Sequence, residues 1–147
     1  MSVQSAEVIR LDLPATHKHL NILGACISEL LARVEHVDER EAMIYNLQLA
    51  AHEACANIID HAYAGEIERR IMITLTLATR PRRLIIELHD TGCSFDLASV
   101  PDPNLEEAHD HGYGLFLMRS LMDEVTYTSR PEGNHWSLVK HLGSERS

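Results

Sequence analysis

The chain has 147 residues, 45% hydrophobic and 24% charged, with a formal net charge of −9; this suits a single acidic domain with a real core and argues against a nucleic-acid surface, which needs clustered Lys and Arg. No run of about 18 apolar residues and no apolar signal-peptide core occurs, so neither a membrane span nor a secretory signal is expected. The three cysteines, Cys26, Cys55 and Cys93, are odd in number and far apart, as expected of reduced thiols in a cytoplasmic protein rather than of a disulfide framework.

Val8 to Leu13 alternates with period two and ends at Pro14, which predicts a first strand. From Ala15 to Val34, residues Leu20, Leu23, Ile27, Leu30, Leu31 and Val34 follow helical spacing. Asp38, with Glu41 three residues later, predicts the capped start of a second helix. That helix runs through Tyr45, Leu49, Ala50, Ala54 and Ile58 and stops near Gly65. Arg70 to Ala78 and Leu84 to Asp90 read as two strands of a hairpin around Arg80-Pro81-Arg82-Arg83. Asp96 to His111 holds two prolines, five acidic residues and no Lys or Arg; a loop of that length in a compact domain is usually functional or disordered. Gly112-Tyr113-Gly114 opens a third helix through Leu115, Leu117, Met118, Leu121 and Met122. Val125 to Ser129 and His135 to His141 close the chain as a hairpin around Pro131-Glu132-Gly133-Asn134. This order predicts an α+β fold: a two-layer sandwich whose mixed, mostly antiparallel sheet is covered on one face by three helices.

Three segments carry chemistry. In the second helix Glu53, Asn57 and His61 are spaced by four and so share one face. A carboxylate one turn from an amide oxygen suits phosphate chemistry at a magnesium ion. His89-Asp90-Thr91-Gly92 follows a strand, where a carboxylate can accept a hydrogen bond from an exocyclic amine such as that of adenine, and Gly92 lets a flat ring approach the backbone. Gly112 and Gly114 at a helix start allow phosphate oxygens to meet free N–H groups. Each signal alone has a bland reading: His61 as a packing residue, Cys55 and Cys93 as small filling, and His109-Asp110-His111 as part of an acidic loop rather than a metal site.

In this order the three segments resemble the N, G1 and G2 boxes of the GHKL (Bergerat-fold) ATPases, which include the histidine kinases. The chain is more similar to the anti-sigma factor serine/threonine kinases of the RsbW and SpoIIAB kind. The supporting stretches are 53–63, 114–125 and 133–140. The resemblance implies that Glu53 is the general base, that Asn57 holds Mg2+, that Asp90 binds the adenine amine of ATP with Gly92 giving room, and that Gly112 and Gly114 wrap the phosphates. It places Ser137 near the adenine and makes 96–111 an ATP lid. It also implies transfer of the γ-phosphoryl group to a STAS-domain anti-anti-sigma protein, capture of a sigma factor or other regulated target, and a homodimer. Ser94 stands where that family commonly has a second glycine. Two other readings stay open: a nucleotide-dependent binding switch with little kinase activity, and a detached histidine-kinase-type catalytic domain.

Overall fold

The computed structural model describes residues 6–64, 66, 68–94 and 110–143, the side chains of 110–113 excepted. The elements are β1 (Glu7–Pro14), α1 (Leu20–Ala32), α2 (Arg40–Asn57), β2 (Arg70–Ala78), β3 (Arg83–Asp90), α3 (Asp110–Leu121), β4 (Glu124–Arg130) and β5 (Gly133–His141). The five strands form one sheet in the order β1-β2-β3-β5-β4. Every described pairing is antiparallel, so the sheet is not mixed. The expected two-layer α+β sandwich is otherwise what forms.

Strand alternation decides which face is buried. Ile71, Ile73 and Leu75 on β2, Leu84, Ile86 and Leu88 on β3, and Trp136 and Leu138 on β5 point to one side and are buried there. Leu23, Ile27 and Leu31 of α1, Leu47 and Ala54 of α2, and Met118 of α3 complete the same core. The central helix α2 packs against both α1 and α3, and its small Ala50, Ala51 and Ala54 permit that close approach. Arg82, in the turn before β3, is buried. Its guanidinium donates to the carbonyls of His36 (2.9 Å) and Leu142 (3.2 Å), which ties the end of the first helical segment to the chain after β5. Among the described residues no helix is long and apolar enough to cross a membrane.

Several boundaries differ from the sequence reading for local reasons. A 3-10 turn at His17–His19 precedes α1. Helix α2 is entered through Glu39 in a left-handed conformation (φ 49°) and has no side-chain cap, so Asp38 does not cap it. After Asn57 the helix widens into a π-helical turn, Ile58–Ala62, closed by Tyr63 N donating to Ile58 O at 2.8 Å. Helix α3 begins at Asp110 rather than Gly112. The lid expected over 96–111 lies outside the described residues up to 109, and its last two residues belong to α3.

Candidate functional site

Asp90, the last residue of β3, shares the inner face with Ile86 and Leu88 and is 3% exposed. Its Oδ1 accepts from Gly92 N (2.9 Å) and from Asn134 Nδ2 (2.8 Å). Its Oδ2 is buried with no hydrogen-bond partner among the described residues. Leaving such an acceptor unanswered costs about 1–3 kcal/mol, so the fold holds open a place for a donor. Burial pushes the Asp90 carboxyl above its ordinary range. The bonds from Asn134 and Gly92 and the charges of His89 and Arg69 oppose that shift without cancelling it.

Asn57 lies across from Asp90 at the junction of α2 and the π-turn. It is 7% exposed, and its Nδ2 is likewise buried without a partner among the described residues. Glu53 sits one turn earlier and is half-buried. Asn57, His61, Asp90, Cys93, Ser94 and Trp136 line one small cavity of about 40 Å³. Thus Asn57 and Asp90 meet, although the element separation in sequence is large. The π-turn takes His61 off the strict four-residue spacing from Glu53, yet His61 still reaches this cavity.

Gly92 and Gly114 have identifiable duties here. A Cβ on Gly92 would lie 2.3 Å from Ala62 O and 2.5 Å from Ala62 C. The glycine therefore lets the main chain after β3 press against the end of the π-turn. That contact is locked by Cys93 N donating to Ala62 O at 2.8 Å. Gly114 is the fifth residue of α3, beyond the free amides of a first turn. A Cβ there would lie 2.9 Å from Glu53 Oε1 and 3.6 Å from Asn57 Oδ1, so its missing side chain lets α3 lie directly over the Glu53/Asn57 face. Gly112 is within the first turn of α3, where backbone N–H groups lack helical partners.

Ser137 is not brought to the site. It alternates with the inward-facing Trp136 and Leu138, pairs with Glu87 and Thr126, and projects from the outer face of the sheet. The residue that stands beside Asp90 is Asn134, which the sequence reading left in a turn. Asn134 is 2% exposed. Besides Asp90 it donates to the carbonyls of Gly92 (3.0 Å) and Cys93 (3.2 Å), and its Oδ1 accepts from Ser129 Oγ at 2.8 Å. Period-two alternation counted back from Trp136 is the signal that would have placed Asn134 inside and Ser137 outside. Tyr63 is a further structural residue of the site. Its ring is buried, its hydroxyl donates to Arg70 O (2.6 Å) and accepts from Thr91 N (3.0 Å), and it thereby ties the helix end to β2 and to the chain after β3.

The unpaired Asp90 Oδ2 fits an exocyclic amine, and an amide whose nitrogen is unpaired can turn its oxygen toward a hard cation. The donor set therefore fits an adenine nucleotide with a divalent cation. Among the described residues no cluster of His, Cys, Asp and Glu could hold a metal by itself.

The sequence profile of a family described as histidine kinase-like ATPase domain matches residues 13–140. Serine-protein kinase RsbW of Bacillus subtilis is 27% identical over 150 residues, covering 97% of this chain and 90% of that protein. Serine/threonine-protein kinase BtrW of Bordetella bronchiseptica is 29% identical over 134 residues, covering 86% and 93%. Among solved structures, the RsbU and RsbW domains of a Mycobacterium tuberculosis protein align with a TM-score of 0.66 at 20% identity, over 92% of this chain and 32% of that one. The histidine kinase domain of a blue-light activated histidine kinase from Erythrobacter litoralis aligns with a TM-score of 0.56 at 16% identity, over 88% of this chain and 62% of that one. At those identities the two structures share the fold.

Proposed function

The chain belongs to the family of histidine kinase-like ATPase domains, and from that premise we propose that it is an ATP-dependent serine/threonine protein kinase and anti-sigma factor of a partner-switching module. Its similarity to kinases named RsbW and BtrW along most of its length supports this reading. The observation that carries it is the pair of unanswered buried polar atoms, Asp90 Oδ2 at the end of β3 and Asn57 Nδ2 one helical turn after Glu53. The protein substrate is a STAS-domain anti-anti-sigma protein, and the regulated target is a sigma factor. The working form is a cytoplasmic homodimer.

The geometry supports the following residue roles. Asp90 Oδ2 accepts the adenine amine while Asn134 and Gly92 hold Oδ1 and so fix the carboxylate plane. Asn57 would hold Mg2+ through its amide oxygen. Mg2+, when bound, neutralises charge spread over the phosphate oxygens. Glu53 orients the attacking hydroxyl and takes its proton. The first-turn amides of α3, Gly112 among them, face the phosphate oxygens at the positive helix end. Little covalent work is asked of the protein; alignment and charge stabilisation dominate phosphoryl transfer.

The test incubates the protein with radiolabelled ATP, Mg2+ and the STAS protein encoded beside it. The expected product is phosphoserine or phosphothreonine on the STAS protein, lost in Glu53→Ala while ATP binding persists. ATP binding and partner capture without transfer would overturn the kinase reading in favour of a nucleotide-dependent binding switch, toward which the absence of Lys and Arg from 96–111 points. A product stable to alkali and labile to acid would instead be phosphohistidine and would assign the chain to a detached histidine-kinase-type domain.

A further inference from the structure

The cavity at Asn57 is not the largest hollow in the protein. A cavity of about 590 Å³ opens at the end of the sheet where β3 finishes and β5 begins, lined by outward-facing residues of the sheet and reaching Tyr63, Asp90 and Asn134 at its inner wall. His89 and Asp90 are consecutive and therefore face opposite ways. Asp90 turns to the helices, and His89 to this outer hollow. The floor is one cross-strand row, Met72–His89–His135–Thr128, set by the pairings Met72↔His89, His89↔His135 and Thr128↔His135. The next row is open because Arg130 pairs with Gly133, which has no side chain to fill it. Gly133 is fixed as glycine: its φ is +148°, and a Cβ would lie 2.7 Å from Asp90 O.

We propose that this hollow is a second ligand site, one that takes a small planar ring carrying a phosphate or carboxylate group. Its volume falls within the range of about 300–1,000 Å³ typical of small-molecule sites. The floor suits a flat ring. The imidazoles of His89 and His135 are stacked, with centroids 4.3 Å apart and planes 18° from parallel, and the Met72 thioether beside them is 48% exposed. Exposed methionine and stacked aromatic rings make a polarizable, adaptable surface.

The rim suits an anion. Arg69, Arg70 and Arg130 converge here, three of only 13 Lys and Arg in a chain of net charge −9. Arg70 is held by Asp12 (2.6 Å), and Arg69 by Thr91 (3.0 Å) and Glu66 (3.4 Å) while it lies 5.0 Å over the Tyr63 ring. A guanidinium has five donors, so both keep spare ones. The Arg130 guanidinium makes no hydrogen bond or ion pair with a described residue. Glu68 and Glu132 also reach the rim, both exposed to water. Asp90 forms part of the wall, but its Oδ1 is engaged by Asn134 and Gly92 on the far side. The anion is therefore expected at Arg130, with the ring over the histidine pair.

The test is a titration of the full-length protein with phenyl phosphate, followed by backbone amide NMR. Saturable shifts centred on His89, Thr128, Gly133 and His135, which persist when ADP is present, are expected. Phenol and inorganic phosphate, each carrying half the ligand, should bind about tenfold more weakly or worse, and Arg130→Gln should weaken phenyl phosphate by about tenfold, the worth of one charge-assisted bidentate contact. Arg130 is exposed on an edge strand, so the variant folds. Absence of saturable shifts, shifts centred on Asn57 and Cys93 that ADP displaces, or an Arg130→Gln variant of unchanged affinity would overturn the proposal.

Discussion

Replacing Gly92 by alanine tests whether that glycine serves the ligand or the fold. The added Cβ meets main-chain atoms, Ala62 O at 2.3 Å and Ala62 C at 2.5 Å, and then the Tyr63 ring at 2.9 Å. None of these is the end of a flexible side chain, so relief requires the segment after β3 to move away from the π-turn by roughly 1 Å. Overpacking of this kind costs about 1–3 kcal/mol. Separation also breaks the Cys93 N to Ala62 O bond of 2.8 Å, worth about 1 kcal/mol. The sum is roughly 2–4 kcal/mol, and at about 2–4 °C per kcal/mol for a domain near this size the melting temperature should fall by roughly 5–15 °C. Differential scanning calorimetry without nucleotide reads this directly. A Gly92→Ala variant that melts like the parent but no longer binds ATP would refute the reasoning, because it would mean that the glycine only makes room for the adenine.

Gly114→Ala should behave oppositely. Its Cβ meets the movable Glu53 carboxylate at 2.9 Å, and alanine favours a helix over glycine by about 1 kcal/mol, so thermal stability should hold or rise while phosphotransfer falls; a lowered melting temperature would contradict this. Asn134→Ala removes three donated hydrogen bonds around Asp90 and should weaken ATP binding at least about tenfold in calorimetry, whereas Ser137→Ala on the outer face should leave it unchanged; equal effects would be evidence against the assigned faces. Asp90→Asn has a pH signature. The native carboxyl is held above its ordinary value, chiefly by burial, so as pH rises past the usual carboxylate range the unfolded chain ionises first and the native state loses stability. The asparagine variant escapes that loss, and its melting temperature relative to the parent should increase from pH 4 towards neutrality; a relative decrease would sink the argument. Burial pushes the Cys55 thiol up to about 12, so iodoacetamide at neutral pH should spare Cys55 and label the exposed Cys93, with ATP protecting the latter; labelling of Cys55 in the folded protein would contradict the packing.

The strands and helices were legible because each buries one face, and the apolar periods of two and 3.6 record that burial directly. Asp90 was legible for a related reason: a carboxylate that continues the inward-facing row of Leu84, Ile86 and Leu88 stands out in the pattern. The errors came where main-chain geometry decides. Nothing in Ile58-Ile59-Asp60-His61-Ala62 announces a π-turn; it exists because Tyr63 N closes on Ile58 O and Cys93 N closes on Ala62 O from a segment 31 residues away. The left-handed entry at Glu39 displaced the cap expected at Asp38 in the same way. Ser137 was placed near the adenine by the family resemblance, against the alternation that turns it outward, and Asn134 was left out because the start of the strand was set two residues late. Starting β5 at His135 put Gly133-Asn134 in the turn, and only the observed pairing Asp90↔Asn134 shows that the ladder continues through them.

The most direct measurement compares ATP with inosine triphosphate by isothermal titration calorimetry in the presence of Mg2+. The two differ at the atom that would face Asp90 Oδ2: an amine that donates in ATP, a carbonyl that can only accept in inosine triphosphate. With a buried carboxylate oxygen waiting for a donor, ATP should bind at least about tenfold more tightly, and Asp90→Asn should erase most of that preference. Equal affinity of the parent protein for the two nucleotides would contradict the placement of adenine at Asp90, and with it the site on which the proposed kinase activity rests.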